Sequence, residues 1–145
     1  MKRFICILSI LAQVMPLCAK NYYVSPQGKA KNNGESKAKA FASLVQAQAI
    51  VAPGDTVFIM PGTYKVKQKD LMAPTYQKVY AVAFLLDKSG TPQKRISYIG
   101  VMDAQGNRPV FDFSEVKPDA RITGFLLRGS YLHIKNIESS GIQVT

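Results

Sequence analysis

Two Pro-Gly pairs, Pro53-Gly54 and Pro61-Gly62, bracket the short apolar run Thr56–Met60 and constrain this chain more than any other feature. Proline presets φ at the second position of a turn, and glycine accepts the positive φ that follows. Val57, Phe58, Ile59 and Met60 show no polar alternation, which predicts a strand covered on both faces or stacked inside a solenoid. A turn–strand–turn unit of this kind, Ala52 to Tyr64, is stable only when similar units stack on it.

The N-terminus predicts export. Lys2 and Arg3 precede a mostly apolar run, Phe4 to Met15, that is short for a membrane span, and Pro16 breaks it. Leu17-Cys18-Ala19 is an acceptable cleavage site, so residues 1–19 read as a signal peptide and the mature chain starts near Lys20. A lipoprotein would be acylated at Cys18, but Met15, Pro16 and Leu17 make a poor lipobox. Cys6 and Cys18 leave with the leader, so the remaining chain has no disulfide or thiol chemistry. Losing Lys2 and Arg3 lowers the formal charge from +10 to +8. In a secreted, periplasmic or cell-surface bacterial protein, that balance suits an acidic polysaccharide better than nucleic acid. No membrane span is expected after leader cleavage. Lys29, Lys31, Lys37, Lys39, Lys65, Lys67 and Lys69 are scattered over loops and read mainly as solvated surface.

Residues 20–145 read as one domain. Tyr22-Tyr23-Val24-Ser25-Pro26 predicts a strand, and residues 28–40 a surface loop around Asn33-Gly34. Phe41 to Val51 predicts the one helix, with Leu44, Ala47 and Val51 on a common face and Pro53-Gly54 stopping it. An amphipathic helix at this point can cap the open end of a solenoid. After an irregular excursion from Lys65 to Gln77, strands are expected at 79–86, 96–101, 110–113, 124–127, 131–134 and 142–144. Such spacing fits a β-sandwich or a β-helix, and the helix with the poor in–out alternation favours the β-helix.

The motifs Tyr22-Tyr-Val-Ser-Pro26 with Gly28, Phe41-Ala-Ser-Leu44, Pro53-Gly-Asp-Thr-Val-Phe-Ile59 and Gly62-Thr-Tyr64 resemble the opening of secreted right-handed parallel β-helix polysaccharide lyases. The resemblance is to the pectate lyases of polysaccharide lyase family 9. Ser89-Gly-Thr-Pro92, Ile96-Ser-Tyr-Ile99, Arg108-Pro-Val-Phe-Asp112 and Gly129 to Ile137 extend it over nearly all of the mature chain. The chain departs from the family at Ala40, where a proline is usual, and at Lys29 and Lys31, where an aspartate is usual. The resemblance implies an all-β, right-handed parallel β-helix that cleaves acidic pectic chains, pectate or rhamnogalacturonan, by β-elimination. It also implies a lysine base and an aspartate cluster holding calcium, both on later coils.

No catalytic or metal-binding residue is assigned within the chain, and its substrate-binding residues are left open. Asp103, Asp112, Glu115 and Asp119 are the densest carboxylates, but without an Asp-x-Asp pattern they read as turn residues. Arg121, Arg128 and Lys135 can line a groove for an anionic chain, or simply face solvent. His133, between Leu132 and Ile134, is expected to point outward without a metal partner. Tyr76 and Tyr80 can stack on sugars or pack in the excursion; Asp55 and Asn136 suit turns and coil edges. Leu132, Ile134, Ile137, Ile142 and Val144 carry the apolar ladder to the end. The expectation is therefore a fragment holding the first coils, inactive alone, with calcium, the catalytic groups and the missing C-terminal coils beyond Thr145. The alternative is a non-catalytic extracellular β-helix that binds polysaccharide or acts as an adhesin.

Overall fold

The computed structural model describes residues 18–72, 80–117 and 121–142. Its strands, in chain order, are β1 (Asn21–Val24), β2 (Thr56–Ile59), β3 (Thr63–Lys65), β4 (Tyr80–Leu86) and β5 (Ile96–Gly100), then β6 (Val110–Asp112), β7 (Arg121–Leu127), β8 (Leu132–Lys135) and β9 (Glu138–Ser140). One short helix, α1 (Leu44–Ile50), separates β1 from β2.

From β2 onward consecutive strands fall in different sheets, of order β1-β2-β5-β8, β3-β6-β9 and β4-β7. Every pairing between these strands is parallel. A chain that visits three sheets in turn and pairs each strand with its counterpart one circuit earlier is a coil. Equivalent side chains then stack along the axis. In the first sheet Tyr22, Val57 and Tyr98 share one level, all buried. Tyr64 stacks on Phe111 at 4.9 Å in the second, and Phe84 on Phe125 at 5.0 Å in the third.

The turns follow from residue type. Gly54 and Gly62 adopt φ of +99° and +126°, which supplies the positive φ that each Pro-Gly pair was expected to provide. Asn136, at φ +55°, turns the chain between β8 and β9; asparagine tolerates this left-handed conformation better than other non-glycine residues. The run Thr56–Met60 is covered on one face only. Val57 and Ile59 are buried, while Phe58 is half-buried outside, where it stacks on Tyr23 at 5.5 Å. Outward apolar residues in a solenoid thus shelter against their neighbours in adjacent coils.

The helix begins at Leu44 rather than Phe41, because Phe41 forms a parallel bridge with Val24. Leu44 and Ala47 are buried, as is Val51 just beyond the helix end. The free edge of β1 is satisfied by loop backbone. Tyr23 N–H donates to Gly34 O at 2.8 Å, Phe41 N–H to Tyr23 O at 2.8 Å, and Ser25 N–H to Phe41 O at 3.0 Å. The helix instead packs against β1 and β4.

A buried polar contact ties α1 to the core. The Tyr98 hydroxyl donates to Gln48 Oε1, and Gln48 Nε2 donates to Asp87 Oδ1 at 3.0 Å. Burial, reinforced by the Asp87 charge, pushes the Tyr98 hydroxyl pKa upward, so it remains a donor. Gln48→Leu strands that hydroxyl and is expected to cost about 1–3 kcal/mol, read as a lower urea midpoint. An unchanged midpoint would show that the contact contributes nothing.

Candidate functional surface

The outward face of the second sheet gathers the most polar chemistry. Lys65, Asp112 and Ser140 lie at one level of the ladder, and Thr63, Val110 and Glu138 at the other. Lys65 Nζ sits 2.7 Å from Glu115 Oε1, with both side chains exposed to water. The Glu115 hydrogen bond raises the Lys65 pKa, and Lys65 in turn holds the Glu115 carboxyl below its ordinary value. Asp112 is also lowered, first by the Ser114 backbone N–H, which donates to its Oδ1 at 2.9 Å. An amine whose pKa is raised stays protonated and is a poor general base near neutral pH. The Lys65–Glu115 pair is thus held in its charged form.

Beside it, Thr63, Asp103, Asn107, Arg108 and Glu138 line a shallow cleft of ≈ 520 Å³ at the corner between the first two sheets. Asp103 is committed to its own loop. Its Oδ1 accepts from the Gln105 and Asn107 N–H groups at 2.9 and 2.8 Å, and its Oδ2 accepts from Asn107 Nδ2 at 2.8 Å. The Asn107 side-chain hydrogen bond leads the causes that depress its pKa.

Calcium needs roughly six to eight oxygens. Asp103 accepts from its own loop through both oxygens, Asp112 Oδ1 accepts from the Ser114 N–H, and Glu115 Oε1 pairs with Lys65. Among the described residues, no group of three or more His, Cys, Asp or Glu is placed to hold a metal. Asp119 and Tyr76 lie outside the described residues.

The other candidates are dispersed. Arg121 opens β7 in the third sheet, while Lys135 ends β8 in the first. Arg128 follows β7, where its backbone N–H donates to Leu86 O at 2.9 Å. His133 is exposed on β8 at the level of Ser97. Tyr80 begins β4 opposite Arg121. Asp55 is buried in the turn before β2 and Asn136 sits at the turn after β8, as their residue types suggested. The Lys65–Glu115 pair and the Tyr23–Phe58 stack escaped sequence reading, because only the register of successive coils brings residues so distant in sequence together.

Parallel strands wound through three sheets around stacked aromatic rings define a parallel β-helix. The chain belongs to the family described as Pel9A-like, right handed beta helix region, which matches residues 22–145. It is 36% identical over 121 residues to pectate lyase L of Dickeya chrysanthemi, covering 81% of this chain and 25% of that protein. Pectate lyase L of Dickeya dadantii (strain 3937) is 36% identical over the same length. Among solved structures, a rhamnogalacturonan lyase matches with TM-score 0.79 and 43% identity over 88% of this chain and 30% of its own. The crystal structure of pectate lyase Pel9A matches with TM-score 0.57 and 27% identity, over 84% and 28% of the respective chains. The chain thus spans about a quarter of the curated relatives it matches. The expected kinship with β-helix pectate lyases holds, and the sandwich alternative falls with the parallel pairing. No helix among the described residues is long and apolar enough to cross a membrane.

Proposed function

We propose that this chain forms the first coils of an exported bacterial polysaccharide lyase that cleaves an acidic pectic polysaccharide by β-elimination. The observation that carries this reading is the 43% identity and TM-score of 0.79 to a rhamnogalacturonan lyase over 88% of the chain. The basic balance of residues 20–145 suits a polyuronate partner. Residues 1–19 serve as the leader. The helix α1 acts as a cap together with the 33–41 loop, supported by the packing of Leu44 and Ala47 and by the hydrogen bonds along β1.

In this reading the lysine base and the calcium-binding aspartates sit on coils beyond Thr145, and this piece alone is inactive. The chain's span of about a quarter of the pectate lyases it matches supports this reading. The test is incubation of the chain with polygalacturonate and with rhamnogalacturonan, with and without calcium, while following the absorbance of the unsaturated uronate. No product is expected. Calcium-dependent product from this chain alone would overturn the placement of the catalytic groups.

A further inference from the structure

We propose that cleavage of the leader between Ala19 and Lys20 creates an α-ammonium that locks onto the Asp55 carboxylate, so that processing also fastens the base of the first coil. This rests on the export reading above and goes beyond it, because it gives the new terminus a binding site.

The nitrogen that cleavage would expose is already in place. Lys20 N lies 2.8 Å from Asp55 Oδ1, and the other carboxylate oxygen accepts the Ala52 N–H at 2.9 Å. Lys20 is also held through its carbonyl, which accepts the Thr56 N–H at 2.9 Å. Asp55 is only 4% exposed, so its carboxylate interacts in a medium where charge counts for more than in water. On the other side of the bond, Cys18 and Ala19 are exposed and belong to no strand, which leaves the Ala19–Lys20 amide open to a peptidase.

The chemistry is hydrolysis. Water adds across the Ala19–Lys20 amide, the C–N bond breaks, the leader departs as a carboxylate, and Lys20 N takes up protons to become an ammonium. A neutral amide donor to Asp55 thereby becomes a charged one, and charge-assisted hydrogen bonds are roughly twice as strong as neutral ones. The geometry is fixed beforehand by β1 and β2, so little ordering remains to be done. Other groups face this site. Burial first, and then the Asp55 charge, raise the Tyr22 hydroxyl pKa on β1, and Lys94 and Arg95 before β5 line the same cleft as Ala19 and Gly54.

The experiment expresses the chain with its own leader in an exporting bacterial host and reads the product by intact mass and N-terminal sequencing. Lys20 is expected as the first residue. An exported chain cut elsewhere, or acylated at Cys18, overturns the proposal alone; a chain that keeps Met1 also overturns the export reading. The lock itself is read from thermal stability against pH, comparing the processed chain with one that begins at Ala19. An α-amine titrates at about 7.7–8.0 when unfolded. Pairing with Asp55 raises its folded pKa, so the extra stability is present below that range and is lost as pH rises through the folded value. Asp55→Asn is expected to erase the difference between the two chains. NMR titration of the α-amine in wild type labelled with [α-15N]lysine covers the case in which that variant fails to fold. Identical pH profiles, or an α-amine titrating at or below the ordinary range, overturn the lock.

Discussion

Phe111→Ala is expected to unfold the chain or bring it to the edge of unfolding. Phe111 is 1% exposed and meets Tyr64, Phe84 and Phe125 at 4.9, 5.0 and 5.1 Å. Phe84 and Phe125 come from the third sheet and Tyr64 from the second, so this ring joins two walls of the coil and two successive circuits. Truncating a buried phenylalanine costs about 3–5 kcal/mol, against a total stability of about 5–15 kcal/mol for a typical domain. Phe111→Leu keeps most of the volume and should cost only about 1–1.5 kcal/mol. Urea midpoints for the two variants decide the matter. A loss below about 1 kcal/mol for the alanine variant would show that the coil collapses around the gap, and that the ring is not its fastening.

Gly100→Ala is expected to detach the last circuit. A Cβ at Gly100 would lie 1.8 Å from Asn136 O and 2.9 Å from Pro109 Cγ. The nearest obstacle is backbone, which cannot swing aside as a side-chain tip can. Asn136 is the turn residue that carries β8 into β9, so relief requires moving that turn and breaking the pairing of β5 with β8. A cost of at least about 3 kcal/mol follows, the upper end for overpacking. Gly106→Ala is the control. Gly106 has φ +84° but nothing within 4 Å of the added carbon, so only backbone strain of about 1–2 kcal/mol applies. Hydrogen exchange should show Gly100→Ala exposing the amides of β8 and β9 while those of β1 and β2 stay protected. Equal effects of the two alanines would argue against the close approach at Asn136.

The architecture was legible where residue chemistry dictates local shape. The Pro-Gly pairs place their turns, the face shared by Leu44, Ala47 and Val51 marks the helix, and β4, β5, β6 and β8 lie within a residue or two of the apolar runs that predict them. The failures have physical reasons. The strand β9 is Glu138-Ser139-Ser140, which carries no apolar signal and exists because β6 offers it a parallel partner. The apolar pattern predicts a strand at 142–144 instead; Ile142 follows Gly141, at φ +69°, outside any strand, and the other two residues lie outside the described region. Gly62-Thr63-Tyr64 has the composition of a turn, yet Thr63–Lys65 forms β3, where Tyr64 stacks on Phe111 at 4.9 Å. The polar surface was the least legible. Glu115 finds Lys65 fifty residues away along the chain, and only the pitch of the coil sets that meeting.

The backbone of Gly34 and Phe41, pressed against β1, also governs how this molecule meets others of its kind. Where the edge amides and carbonyls are already engaged, as at Tyr23 and Ser25, an incoming chain finds less of a template to extend. At Tyr23 and Ser25 a foreign strand would have to displace this loop before it could pair beneath β1.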